Sequence, residues 1–304
     1  MLSLAFLLAV DTLATLMGPG ISRDLADYRR RTIAEVRYDL RLDVSALDSA
    51  TGTVTIRFRR SGPGDVILDF RGRQLTTASA NGQTLPPGLA NGAHIWVPQR
   101  VLRPGENRLD FGFVTPIAPT GASIIRFRDR ADSSDYLYTL LVPADASQLF
   151  PSFDQPDLKA RVSLSLATPS GWTAVANGAL AAADTLGSTI VHRFAETRPI
   201  STYLIAFAAG PWHRATRRVG GRTVHAYVRR SRAGEADLDT LLAANQRALD
   251  WMERYFARPY PFEKFDFVLA PAFPFGGMEH PGAVFYNEDS FIFRERPTLP
   301  RRLR

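Results

Sequence analysis

From Val36 to about Trp212, apolar and polar side chains alternate with a period of two, the pattern of strands that bury one face. Val36, Tyr38, Leu40, Leu42 and Val44 fall on one side of the first such run, with Arg37, Asp39, Arg41 and Asp43 on the other. Val54, Ile56 and Phe58 repeat the pattern, as do Val162, Leu164 and Leu166. Turn signals separate the runs: Ser61-Gly62-Pro63-Gly64, Asn81-Gly82, Asn91-Gly92, Pro104-Gly105 and Asn177-Gly178. Many short strands at this spacing predict a mostly β chain whose residues 22–216 form a large antiparallel β-sandwich.

The period changes near Gly220-Gly221. A strand over Thr223 to Val228 is followed by Leu238, Leu241, Leu242, Leu249, Met252, Tyr255 and Phe256 at helical i, i+3, i+4 spacing. Ala257-Arg258-Pro259 ends that helix, because the residue before a proline avoids the α region. Phe265 to Leu269 then reads as a strand. Residues 217–304 are therefore expected to be the start of an α+β domain that is cut off, and residues 1–21 a leader. There is no internal repeat and no low-complexity segment.

The leader holds an apolar run, Leu2 to Val10, ended by Asp11. The run is too short to span a bilayer. Its length fits the core of a signal peptide, but no basic residue precedes it and no Ala-x-Ala site follows, so a buried N-terminal helix fits equally well. Localisation stays open between cytoplasmic and exported. The net charge of +7 rests on 37 basic residues, of which only Lys159 and Lys264 are lysines. Nucleic-acid binding would call for basic residues clustered with aromatics on one face. The arginines here are scattered over outward strand positions such as Arg57, Arg59, Arg126 and Arg128, with short runs at 29–31 and 229–232. Solvated faces account for them, and no nucleic-acid partner is expected. The absence of cysteine excludes disulfides, thiolate zinc sites and a thiol nucleophile. Nothing in the composition speaks to oligomeric state.

The chemistry concentrates in Gly276-Gly277-Met278-Glu279-His280, entered from one apolar strand and left through another. Paired glycines let another main chain come close, and Glu279 then stands beside that backbone, placed to meet a cation. An extended backbone gripped by strand-like hydrogen bonds, with its amine held by a carboxylate, is one way to capture a free peptide N-terminus. Taken singly, each residue has a plainer explanation. Glu279 could be a solvated turn carboxylate, the glycines a β-bulge, and Met278 core packing at the floor of a pocket. His280 could bond locally rather than bind metal.

This segment resembles the Gly-x-Met-Glu-Asn segment of the zinc aminopeptidase N family, the gluzincin metalloaminopeptidases, with His280 where most members carry Asn. Three further blocks match in order. Leu149 to Ala160, with Phe150-Pro151-Ser152-Phe153-Asp154-Gln155-Pro156 at its centre, is similar to the family's Phe-Pro-Cys-Phe-Asp-x-Pro block. Arg198 to Phe207 is similar to the strand that closes the first domain, and Arg258-Pro259-Tyr260-Pro261-Phe262 to the turn before the substrate strand. The resemblance implies a saddle-shaped β domain followed by a thermolysin-like catalytic domain, zinc as cofactor, and a peptide with a free N-terminus as substrate. It places Glu279 on the substrate α-amine, with Gly276, Gly277, Met278 and His280 around it. Counted back from Asp154, two positions where the family supplies polar side chains for the amine fall on Leu140 and Val142. Either the correspondence shifts within Thr139 to Gln148, or the amine rests mostly on Glu279. Asp154 itself is expected to hold its own turn.

The five histidines, His94, His192, His213, His225 and His280, form no His-Glu-x-x-His pair, the helical spacing that puts two imidazoles on one zinc. The expectation is the front part of an aminopeptidase, with no catalytic residue and no metal ligand in this chain, inactive alone. The alternative is a non-catalytic β-sandwich interaction module derived from the same family. An unrelated β-rich binder does not explain four blocks in order.

Overall fold

A computed structural model describes residues 16–219 and 222–292. The apolar run at the start, the Gly220-Gly221 pair and the arginine-rich end lie outside the described residues. In chain order the strands are β1 (Ile33–Asp43), β2 (Ser49–Arg60), β3 (Val66–Asp69), β4 (Gln74–Ala80), β5 (Gln83–Thr84), β6 (His94–Val97) and β7 (Gly105–Ala118). Then come β8 (Ile124–Arg128), β9 (Asp135–Thr139), β10 (Ala160–Pro169), β11 (Thr173–Ala176), β12 (Leu180–Leu186), β13 (Thr189–Phe194) and β14 (Phe207–Gly210). The last five are β15 (Trp212–Val219), β16 (Arg222–Arg229), β17 (Asp266–Ala270), β18 (Gly277–Met278) and β19 (Ala283–Asn287). Helices α1 (Arg23–Thr32), α2 (Ala146–Leu149) and α3 (Leu238–Tyr255) complete this mostly β chain. Among the described residues no helix is long and apolar enough to cross a membrane.

The described residues divide into two compact units. One takes in the described residues up to Ile124, with Leu140–Ala167 and Glu196–Ile205; the other takes in Ile125–Thr139, Thr168–Ala195 and the described residues from Ala206 onward.

In the first unit β2 pairs antiparallel with β1 and with β7, so that Tyr38, Ile56 and Leu109 stand in one row. Leu40, Val54 and Phe111 make the next row, and all six side chains are buried. These are the alternate positions read from the sequence. The pairing of β1 with β10 is parallel, Tyr38 opposite Val162, which departs from a purely antiparallel sheet. The more than one hundred residues between the two strands make this possible, since a tight hairpin would force antiparallel pairing.

Two residues expected in solvated basic runs are buried instead. Arg29 on α1 forks onto Asp69 with Nη1 and Nη2 at 2.8 and 2.7 Å, and donates to the Ile67 carbonyl. His94 Nδ1 lies 2.8 Å from Asp69, and the Asp154 N–H donates to the same carboxylate at 2.8 Å. Burial alone would raise the Asp69 carboxyl; Arg29, His94 and the Asp154 N–H outweigh it and hold it below the usual range. Asp154 is structural as expected, but not through its own turn. It accepts from the Ser147 N–H at 2.9 Å and the Thr202 hydroxyl at 2.8 Å, bonds that only the folded chain brings together.

In the second unit, β11, β14, β9 and β8 run side by side, β12 and β13 form a hairpin, and a five-stranded sheet has the order β15-β16-β17-β19-β18. β17 pairs parallel with both neighbours and every one of its residues is buried, as expected of a central parallel strand. α3, capped by the Asp237 carboxylate on the Thr240 N–H, lays Leu238 and Leu242 on Val224, Ala226, Val228, Phe267 and Leu269. Arg229 on β16, the second buried residue from those basic runs, reaches Asp129 at 2.6 Å and forks onto Glu288, just past β19, at 2.5 and 2.8 Å.

Candidate functional site

After β17 the chain passes through residues 271–276 to the edge strand β18. Short polar contacts fix this loop. The Tyr138 hydroxyl donates to the Pro271 carbonyl at 2.9 Å and its ring packs against Phe273. Asn287 donates its side-chain amide to the Phe273 carbonyl at 2.7 Å and its backbone N–H to the Gly276 carbonyl at 3.1 Å. Phe273 is buried against Phe285, whereas Phe275 is half exposed.

β18 pairs antiparallel with β19, Gly277 opposite Tyr286 and Met278 opposite Phe285. It is the last strand of its sheet, so its outer edge has no strand partner among the described residues. Side chains alternate along it. Gly277 and Glu279 lie outward and exposed, while Met278 and His280 are buried.

The two glycines differ in what they permit. A Cβ on Gly276 would meet nothing within 4 Å, so its surface is open; a Cβ on Gly277 would strike the Tyr286 ring at 2.8 Å. Gly276 thus admits a neighbour from outside, and Gly277 also makes room for a side chain of the protein itself. Among the described residues Glu279 makes no hydrogen bond or ion pair. His280, expected beside the substrate, is fully enclosed. Its ring packs edge-on against Phe285 at 4.6 Å, and neither ring nitrogen has a hydrogen-bond partner among the described residues. Burial drives its pKa down to about 3, so the ring is neutral and supports the segment from beneath.

The structure therefore brings Gly276, Gly277 and Glu279 to one exposed edge and turns Met278 and His280 inward. A cleft of about 550 Å³ elsewhere in this unit, lined in part by His192, Arg214, His225, Tyr227 and Lys264, includes none of the five.

Residues 34–204 match the Peptidase M1 N-terminal domain, and residues 241–301 match the Peptidase family M1 domain. The chain belongs to peptidase family M1. It is 30% identical to aminopeptidase N of Streptomyces lividans over 92% of its own length and 33% of that protein's. It is 27% identical to aminopeptidase M1 of Arabidopsis thaliana over 86% of the chain and 31% of the relative. A glutamyl aminopeptidase of Rattus norvegicus is 32% identical over 50% of the chain and 16% of its own length. The chain spans about a third of the length of the first of these relatives.

Family M1 implies zinc, and the described residues do not fit it. Among them no three His, Cys, Asp or Glu side chains gather in a way that could hold a metal ion. The residues that sequence reasoning missed are those that fix the M1 segment in place: Tyr138 and Asn287, and with them Asn177, Tyr260 and Lys264, which hydrogen-bond to the Pro281 and Gly282 backbone. The one signal that could have found any of them is Lys264, one of only two lysines among 37 basic residues.

Proposed function

We propose that this chain carries the part of a zinc-dependent aminopeptidase that recognises the free N-terminus of a peptide, with Glu279 meeting the α-ammonium. In this reading residues 22–216 are the β-sandwich domain and residues 217–304 the start of the catalytic one. The observation that supports it is an exposed carboxylate just past an edge strand, with no partner for the carboxylate or for the strand's outer side among the described residues. A peptide backbone can add to such an edge as a further strand, and its first residue then brings a positive charge to Glu279. Contact with that charge would set cleavage to the terminal residue. The described residues offer no zinc site, and in this reading their part is recognition of the peptide's end.

The test is binding of a free tripeptide and its N-acetylated form to the chain and to Glu279→Ala. A charge-assisted contact of about 1.5–3 kcal/mol should favour the free peptide in the wild type and disappear in the variant. Equal loss for both peptides would remove Glu279 from the amine.

A further inference from the structure

Strand pairing alone does not hold the segment that carries Glu279. Three residues on, Gly282 is locked at each of its atoms. Its N–H donates to the Tyr260 hydroxyl at 3.0 Å, and its carbonyl accepts from Lys264 Nζ at 2.6 Å and from the Asp266 N–H at 3.1 Å. Its φ is +78°, and a Cβ there would lie 2.2 Å from the Asn177 carbonyl, so no other residue fits. Asn177 also donates its side-chain amide to the Pro281 carbonyl at 3.0 Å, and the Ala283 N–H donates to the His280 carbonyl at 3.1 Å.

The charged centre of this clamp is Lys264. Its ammonium pairs with Asp266 Oδ2 at 3.0 Å, and Asp266 Oδ1 accepts from the His225 N–H at 2.9 Å. In a chain that carries arginine almost everywhere, a lysine here answers to shape. A compact ammonium can meet one carbonyl and one carboxylate together in a tight space, where a planar guanidinium needs more room. Burial lowers the Lys264 pKa against the pull of Asp266, which reflects how fully the group is taken from water.

We propose that Lys264 is a positioning residue for amine recognition: by holding the Gly282 carbonyl it fixes the backbone between β18 and β19, and with it the direction of the Glu279 carboxylate. An exposed carboxylate with no partner among the described residues is aimed by the backbone that bears it. A displacement of about 1 Å is enough to spoil a positioned contact. The inference rests on Glu279 being the amine anchor.

The experiment uses the full chain, Glu279→Ala, Lys264→Met and Lys264→Arg. The probes are Leu-Gly-Gly carrying a fluorinated C-terminal amide, and its N-acetyl form, with Kd read by fluorine NMR. The wild type should prefer the free amine by on the order of tenfold or more. Lys264→Met should lose most of that preference while binding the acetylated peptide as before, and amide exchange should speed up from Glu279 to Ala283. Lys264→Arg, which keeps a charged donor, should retain part of the preference. A merely structural role would weaken both peptides alike and leave the ratio intact. If Lys264→Met does not fold, Lys264→Met/Asp266→Asn removes both charges and is read in the same way. A wild-type ratio in folded Lys264→Met, with the ratio lost in Glu279→Ala, overturns the inference and leaves Glu279 standing. A ratio unmoved by Glu279→Ala, or no preference in the wild type, removes the Glu279 reading and the inference with it.

Discussion

A buried histidine whose two nitrogens have no hydrogen-bond partner among the described residues makes folding sensitive to acid. The folded pKa of His280 is about 3 and the ordinary value is 6.5, so between these limits the unfolded chain binds more protons than the folded one. Stability from the neutral ring is fully present above 6.5 and is lost as the pH falls toward 3. From pH 7 to pH 5 the loss attributable to this ring should be about 2 kcal/mol. Urea denaturation of wild type and His280→Asn at both pH values checks it: the variant should fall less by about that amount, and parallel falls would show that the ring titrates elsewhere. The enclosure of His280 was half legible. The outward Gly277, inward Met278 and outward Glu279 alternate with period two, and continuing that pattern turns residue 280 inward.

Among the elements, β16 and β19 are tied by one side chain. Arg229 is 7% exposed and answers two carboxylates, Asp129 and Glu288, that are themselves buried. Arg229→Met would leave Glu288 with Arg232 at 3.7 Å and Asp129 with the Ser231 hydroxyl and the Ala131 N–H, and the expected loss is about 3 kcal/mol, measured as a shift of the urea midpoint. A loss under about 1 kcal/mol would mean that water reaches the pair. The sequence placed Arg229 in a solvated run because charge alone does not reveal a partner one hundred residues away. α3 raises the opposite question. Its first half is covered, but Trp251, Tyr255 and Phe256 are 53, 68 and 62% exposed, with the Trp251 and Tyr255 rings stacked at 4.9 Å. Exposed aromatic surface of this kind drives association. Replacing the three with glutamine should reduce self-association in sedimentation velocity without lowering Tm; a clear fall in Tm would show that they pack in solution.

At the scale of the whole molecule, the chain should hold no stoichiometric zinc after dialysis, as read by elemental analysis, and should hydrolyse no aminoacyl anilide above background. The reason is that a zinc site needs about four ligands close to the ion, and neither the histidine spacing nor the described residues provide them. One tightly bound zinc per chain would overturn this. The mostly β class was legible because alternation is a property of neighbours in sequence: Val36 to Val44 carry their own face assignment wherever the strand is placed. The parallel pairing of β1 with β10 was not, since register between distant strands leaves no local mark.

By itself the sequence determined the alternating strands such as Val36 to Val44, the long helix, the membership of peptidase family M1, and a carboxylate beside a glycine pair, but not the segment Arg198 to Phe207, read as a strand and folded as a 3-10 turn until Phe207. Each of these is written in side chains a few positions apart, where periodicity and turn chemistry act. Only the tertiary structure decided which charges are buried, which of the two glycines is open, and what holds the segment behind Glu279. Arg29 finds Asp69, Arg229 finds Glu288 and Lys264 finds Gly282 only after the strands have paired. A buried ion or a clamped carbonyl is stable through its partners, and partners are chosen by packing rather than by order along the chain.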